Sequence, residues 1–127
     1  MTYKPKDYNS LSPYLIINGA QKLVDLLKNI FNAKELRRFN HDDGSIQHTE
    51  LRIDDSIIML SDSTTEYSAN ISTLHVYVGN VFETYKLAME NGCISVEEPI
   101  NKQGDPDIRG SFKDFAGNYW AIGQQIN

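Results

Sequence analysis

The chain has 127 residues, a formal net charge of −5 at pH 7 and 40% hydrophobic residues. That length suits a single domain able to bury roughly two-thirds of the surface its unfolded form exposes. The acidic balance argues against nucleic acid as a partner, and no apolar run approaches membrane-spanning length.

Residues 1–13 are polar, carry two prolines and read as a lead-in without an apolar signal region. Pro13-Tyr-Leu-Ile-Ile-Asn18 is a short β-branched run that predicts a strand. Asn18 stands at an N-cap position with Gln21 three residues on, a capping-box pattern. Ala20, Leu23, Val24, Leu27, Ile30 and Phe31 follow at helical spacing, and Asn32 is placed to end the helix in the left-handed region. Ala33 to Asn40 predicts a further strand, and His41-Asp-Asp-Gly-Ser45 a turn that leaves His41 exposed. Ile46 to Ile53 and Ser56 to Leu60 form a hairpin across Asp54-Asp55, before a polar loop from Ser61 to Ser72.

The second half repeats this order. Thr73 to Val78 predicts a strand, and Asn80 an N-cap with Glu83 at the box position. Val81, Phe82, Tyr85, Ala88 and Met89 form an apolar helical face that stops at Gly92. Cys93 is the only cysteine, so no internal disulfide forms, which fits a reducing cytoplasm; with no cationic run beside it, a buried structural thiol is expected. Ile94 to Val96 begins a short strand, and a loop follows through Glu97-Glu-Pro99 and Gly104-Asp-Pro-Asp107. Ile108 to Lys113 and Tyr119 to Gly123 then make a hairpin around Asp114-Phe-Ala-Gly-Asn118, with the only tryptophan on its second strand. Asn18 and Asn80 stand 62 positions apart, as do Ile46 and Ile108, so the order βαβββ reads as an internal duplication.

The closing hairpin, with its Arg109-Gly110 strand, Asp-Phe-Ala-Gly-Asn turn and Trp120 strand, resembles that of the vicinal oxygen chelate superfamily, the glyoxalase, bleomycin-resistance and extradiol-dioxygenase group. Ala116 is inserted between Phe115 and Gly117, and no proline follows Asp114, so the turn departs from the usual wording. Pro13-Tyr-Leu, His48-Thr-Glu-Leu-Arg-Ile53, Ile58-Met-Leu-Ser-Asp62 and Val76-Tyr-Val resemble the branch described as demethylubiquinone methyltransferase-like, although no Gly-rich loop suits a methyl donor. The resemblance implies an α+β fold. A single domain over residues 1–127 would hold two βαβββ modules, at about 13–62 and 72–124, whose mixed sheet forms a cup with helices outside.

Strand alternation then decides which side chains face that cup. Leu51 and Ile53 fall on the helix side with Gln47 and Thr49 in phase, which turns His48, Glu50 and Arg52 inward. Leu74, Val76 and Val78 likewise leave Thr73, His75 and Tyr77 inward. Phe112, Trp120 and Ile122 form the packing set of the last hairpin, opposite Arg109, Ser111, Lys113, Tyr119 and Ala121. Candidate ligand-binding residues are therefore Arg109, His48, His75, Tyr77, Tyr119 and Ser111, with Arg109 the best fitted to grip an anion bidentately. His48, Glu50 and His75 are the candidates for acid–base catalysis. The competing reading makes His48, Glu50 and Arg52 a solvated strand face, His75 a hydrogen-bonded structural residue, and Tyr77 and Tyr119 plain wall.

The resemblance also implies where a divalent ion would sit. The last-strand glutamate position falls on Ala121 and the second-module histidine position on Thr73, while the first strand has no histidine and strand 56–60 offers only Met59. No conventional metal site and no cofactor are expected; His48, Glu50 and His75 are the only substitute donors. The expected function is binding of a small polar or anionic molecule in the cup by a cytoplasmic homodimer. The alternatives are a metal-dependent lyase, isomerase or dioxygenase with displaced ligands, or a non-catalytic association scaffold.

Overall fold

The two periodicities resolve into regular elements in a computed structural model that describes residues 2–126. In chain order these are β1 (Tyr14–Ile17), α1 (Ala20–Phe31), β2 (Lys34–Asn40), β3 (Ile46–Ile53), β4 (Ser56–Asp62), β5 (Thr73–Tyr77), α2 (Val81–Glu90), β6 (Ile94–Ile100), β7 (Asp107–Lys113) and β8 (Tyr119–Gln125). The chain divides into two units, one ending at Asn70 and the other starting at Ile71. Each holds a four-stranded sheet, ordered β1-β4-β3-β2 in the first and β5-β8-β7-β6 in the second. In each, the first strand lies parallel to the last and the remaining pairs are antiparallel. The fold is α+β, with βαβββ used twice.

In the first unit, α1 packs on β1, β3 and β4. Leu23, Val24 and Leu27 from the helix meet Leu15, Ile17, Leu51 and Leu60 from the sheet, all fully buried. Each such aliphatic side chain contributes about 1.5–3 kcal/mol through removal from water. Asn32 ends α1 at φ 54, as its sequence position indicates. The start differs from the capping-box expectation. Gly19 occupies the N-cap position with no side-chain cap, and the Asn18 amide oxygen instead accepts from the Ser63 hydroxyl. Asp62, at the end of β4, takes over the cap: its Oδ1 accepts the Ala20 N–H at 2.8 Å and its Oδ2 the Ile46 N–H at 2.7 Å. A carboxylate at a helix N-terminus also complements the helix dipole.

In the second unit, α2 packs on β6, β7 and β8 over Phe112, Trp120 and Ile122. Here the expected cap forms, with Asn80 Oδ1 accepting the Glu83 N–H at 3.1 Å. The helical face is narrower than its spacing indicates. Val81, Thr84 and Ala88 are buried, whereas Phe82 is 58% exposed. The strand expected to stop at Val96 continues to Ile100, through Glu97-Glu98-Pro99. Proline is tolerated there because β6 is an edge strand, where one side of the ladder needs no donor.

The turn between β7 and β8 is built on Asp114, only 3% exposed. Its Oδ1 accepts the Ala116 and Asn118 N–H groups at 2.9 and 3.0 Å. Its Oδ2 accepts from Asn118 Nδ2 at 3.0 Å and Trp120 Nε1 at 2.9 Å. Gly117 closes the turn at φ 88, a conformation that a side chain would strain. Cys93 is buried, and burial together with the Asp114 charge pushes its thiol up to about 11, which makes it a poor nucleophile.

Candidate functional site

In the first unit, alternation along β3 places His48, Glu50 and Arg52 on the face away from α1. That face is not a solvated row of charges. Glu50 is 4% exposed, and both of its oxygens are engaged. Oε1 accepts the Tyr8 hydroxyl at 2.5 Å and Oε2 meets His48 Nε2 at 2.8 Å, with Arg37 Nε 3.8 Å from Oε1. Burial alone would raise the Glu50 carboxyl, but the hydrogen bonds from Tyr8 and His48 and the nearby charges outweigh it and hold the group below its usual range. The Tyr8 phenol is pushed up, first by burial and then by Glu50. Arg52 turns to the lead-in, where its Nη1 donates to the Asp7 carbonyl at 3.0 Å.

An ionised Glu50 accepts only, so His48 Nε2 carries the proton of that bond. In the neutral ring Nδ1 is then an acceptor, and the Tyr14 hydroxyl lies 3.1 Å from it. Carboxylate, imidazole and phenol thus run in a line from the buried sheet face outward, Glu50 to His48 to Tyr14. The outer end opens into a cleft of about 1030 Å³ lined entirely by first-unit residues. Tyr14, Phe39, His41, His48 and Tyr67 supply its rings, with the Phe39 ring 6.5 Å from that of His48. Ser61, Asp62, Thr64, Thr65 and Glu66 supply polar groups, and the imidazoles of His41 and His48 are its only basic side chains. His41 is thus half-buried at the cleft, where a turn residue exposed to solvent was expected.

In the second unit the register sets Arg109 beside Gly123, Ser111 beside Ala121 and Lys113 beside Tyr119. β5 adds Thr73, His75 and Tyr77 beside Tyr119, Ala121 and Gly123. These residues share one face, as alternation indicates. Arg109 is held on three sides: Nε donates to Asp105 Oδ2 at 2.8 Å, Nη2 to Asp107 Oδ2 at 2.7 Å, and Nη1 lies 3.0 Å from His75 Nε2. Tyr77 Oη also donates to Asp107 Oδ2 at 2.8 Å, and this bond raises the Tyr77 phenol. A side chain at Gly123 would place its Cβ 3.0 Å from His75 Nε2, so the bare backbone makes room for this network. Ser111 is buried and Tyr119 half-buried on the same face.

The structure therefore joins His48 with Glu50, and His75 with Tyr77 and Arg109. Sequence reasoning missed the partners: Tyr8, Tyr14, Phe39 and Tyr67 around the first set, and Asp105 and Asp107 around the second. Tyr14 had a usable signal, since it pairs with Met59 beside Glu50 and so shares the face of His48. Tyr8 had none, because the lead-in has no periodicity.

No protein-family model matches the chain. It is 28% identical over 128 residues to the uncharacterized protein Mb0911c of Mycobacterium bovis, with 92% of this chain and 84% of that protein covered. TioX from Micromonospora sp. ML1 superimposes with a TM-score of 0.78 at 19% identity, covering 93% of this chain and 99% of TioX. TnmS3, an antibiotic binding protein from Streptomyces sp. CB03234, superimposes with a TM-score of 0.69 at 15% identity, covering 94% and 100% of the two chains. At these identities the likeness is one of fold, which the chain shares with these two proteins and with the fosfomycin resistance protein FosX from Listeria monocytogenes. Among the described residues, no helix is long and apolar enough to cross a membrane.

Proposed function

We propose that the chain binds a small organic molecule in the first-unit cleft, without a divalent ion. The observation that carries this reading is the line Glu50, His48, Tyr14, which ends in an aligned phenol at the mouth of an aromatic cleft. A buried carboxylate that orients an imidazole, which in turn orients a phenol, is preorganised for one polar contact among apolar walls. TnmS3 is described as an antibiotic binding protein, which fits sequestration as the role.

The donor sets do not fit a divalent ion. Both nitrogens of His48 are engaged, Glu50 accepts from Tyr8 and His48, and His75 Nε2 faces the positive guanidinium of Arg109. Thr73 and Ala121 stand where the superfamily's other donors would be, and neither supplies an imidazole or a carboxylate. Arg109 is read as a clamp that ties β7 to Asp105 and His75, its charge already met by two carboxylates. Nuclear magnetic resonance titration with a library of planar aromatic compounds, in the presence of a chelator, is expected to shift the ring signals of Phe39, His48 and Tyr67. If the shifts appear only when the chelator is left out, the metal-free reading fails; if the second-unit rings move instead, the cleft is not the site.

A homodimer in the cytoplasm is proposed with it. Its support is the β6 edge, from which Ile94, Val96 and Ile100 project at 67, 49 and 49% exposure. Light scattering is expected to return twice the chain mass at micromolar concentration, and a monomer mass throughout would remove this part of the proposal.

A further inference from the structure

Apart from the imidazoles of His41 and His48, the charge-bearing side chains that line the cleft are carboxylates. Three aromatic side chains at its border, Tyr14, Phe39 and Tyr67, are 42, 57 and 60% exposed, far more than aromatic rings usually are. The formally charged groups among the lining residues are the carboxylates of Asp62 and Glu66, and neither lysine nor arginine lines the cleft. Asp62 is pinned at the rim by the two backbone N–H groups it accepts, at 2.8 and 2.7 Å. The phenol adds an acceptor: Tyr14 Oη, 3.1 Å from His48 Nδ1, has a lone pair left for a ligand.

We propose that this cleft selects planar aromatic cations bearing N–H donors, of the aminoacridine type, and rejects aromatic anions. The inference rests on the reading that the cleft is the ligand site. A delocalised cation stacks on ring faces through their negative quadrupole, and its N–H groups find acceptors in Tyr14 Oη and the two carboxylates. An anion would meet those carboxylates with no fixed positive side chain to offset them, which is discrimination by repulsion. The net charge of −5 adds a long-range field of the same preference. Arg109 points to an anion when the sequence is read alone; the cleft chemistry favours the opposite charge.

The test uses three fluorescent probes of similar width: proflavine, a cation; acridone, neutral; and anilinonaphthalene sulfonate, an anion. Proflavine is expected to bind about ten-fold more tightly than either of the others at low salt, with the margin shrinking as salt is added. Phe39→Ala and Tyr67→Ala should each weaken proflavine several-fold while leaving the fold intact, since both rings are exposed. Glu66→Gln should weaken it and flatten the salt dependence. Acridone or the sulfonate matching proflavine, while still shifting the Phe39 and Tyr67 ring signals, would overturn the charge selection and leave the cleft as the site. Proflavine binding unchanged by Phe39→Ala would mean attachment to the acidic surface and would overturn the proposal. Failure of all three probes to move those signals would remove the cleft reading and the inference together.

Discussion

Asp114→Ala is expected to cost the protein about 3–5 kcal/mol, with a fall in melting temperature of roughly 10–20 °C. The carboxylate accepts four hydrogen bonds in a turn that is 3% exposed at Asp114 and 0% at Asn118. Truncation leaves Trp120 Nε1, Asn118 N and Asn118 Nδ2 as buried donors, and each unsatisfied group costs about 1–3 kcal/mol unless water or a shift of the turn relieves it. The loss also spreads into packing. Trp120 is among the largest fully buried side chains of the second unit, and that bond helps anchor its indole. Asn118 further holds the chain before β5, because its Oδ1 accepts the Ser72 N–H at 2.8 Å. Asp114→Asn keeps the shape but replaces one acceptor oxygen with a donor facing donors, so an intermediate loss is expected. Urea unfolding followed by tryptophan emission measures both variants. A change below about 1 kcal/mol for Asp114→Ala would show that the turn relaxes and that the network is not what holds it.

What the sequence made legible follows the range of the forces involved. The inward and outward residues of β3 and β7 could be read because strand alternation is local, and Leu51, Phe112, Trp120 and Ile122 are buried as alternation requires. Asn80 caps α2 from three residues away, its Oδ1 accepting the Glu83 N–H, so a local pattern suffices there. Asn18 carries the same local signal but loses to Asp62, a residue 42 positions from Ala20, and a local pattern cannot foresee that. Glu97-Glu98-Pro99 has loop composition, yet it lies in β6 because pairing with β7 imposes extension on it. The candidate site divides along the same line. His48 and Glu50 share a strand and could be matched by counting; Tyr14 reaches His48 across 34 positions and Tyr8 reaches Glu50 across 42. Arg109 looked free to bind an anion only because Asp105 and Asp107 sat in a stretch that reads as loop.

The second large effect is expected at Glu50, and it depends on pH. At neutral pH, Glu50→Ala should cost about 2–3 kcal/mol, since it removes a buried acceptor and leaves Tyr8 and His48 without their common partner. Tyr8 and His48 are only half-buried, so water recovers part of their hydrogen bonding and keeps the cost below that at Asp114. The sign with pH follows from the carboxyl being held below its usual range in the folded state. Above the ordinary glutamate value of about 4.3, both states are ionised and the folded state keeps its full advantage. Below that value the unfolded chain takes up the proton first, so stability falls until the folded carboxyl is also protonated. Glu50→Gln has no such proton to gain. The stability difference between wild type and Glu50→Gln should therefore shrink as the pH is lowered through and below about 4.3, other acidic groups cancelling in the comparison. The same substitution should loosen the line to Tyr14, and His48 and Tyr14 ring signals report that separately from stability. Paired urea titrations of the two proteins between neutral and acidic pH decide the matter. A difference that stays constant or grows in acid would mean that Glu50 does not draw its stabilisation from the ionised form, and the line Glu50, His48, Tyr14 would lose its anchor.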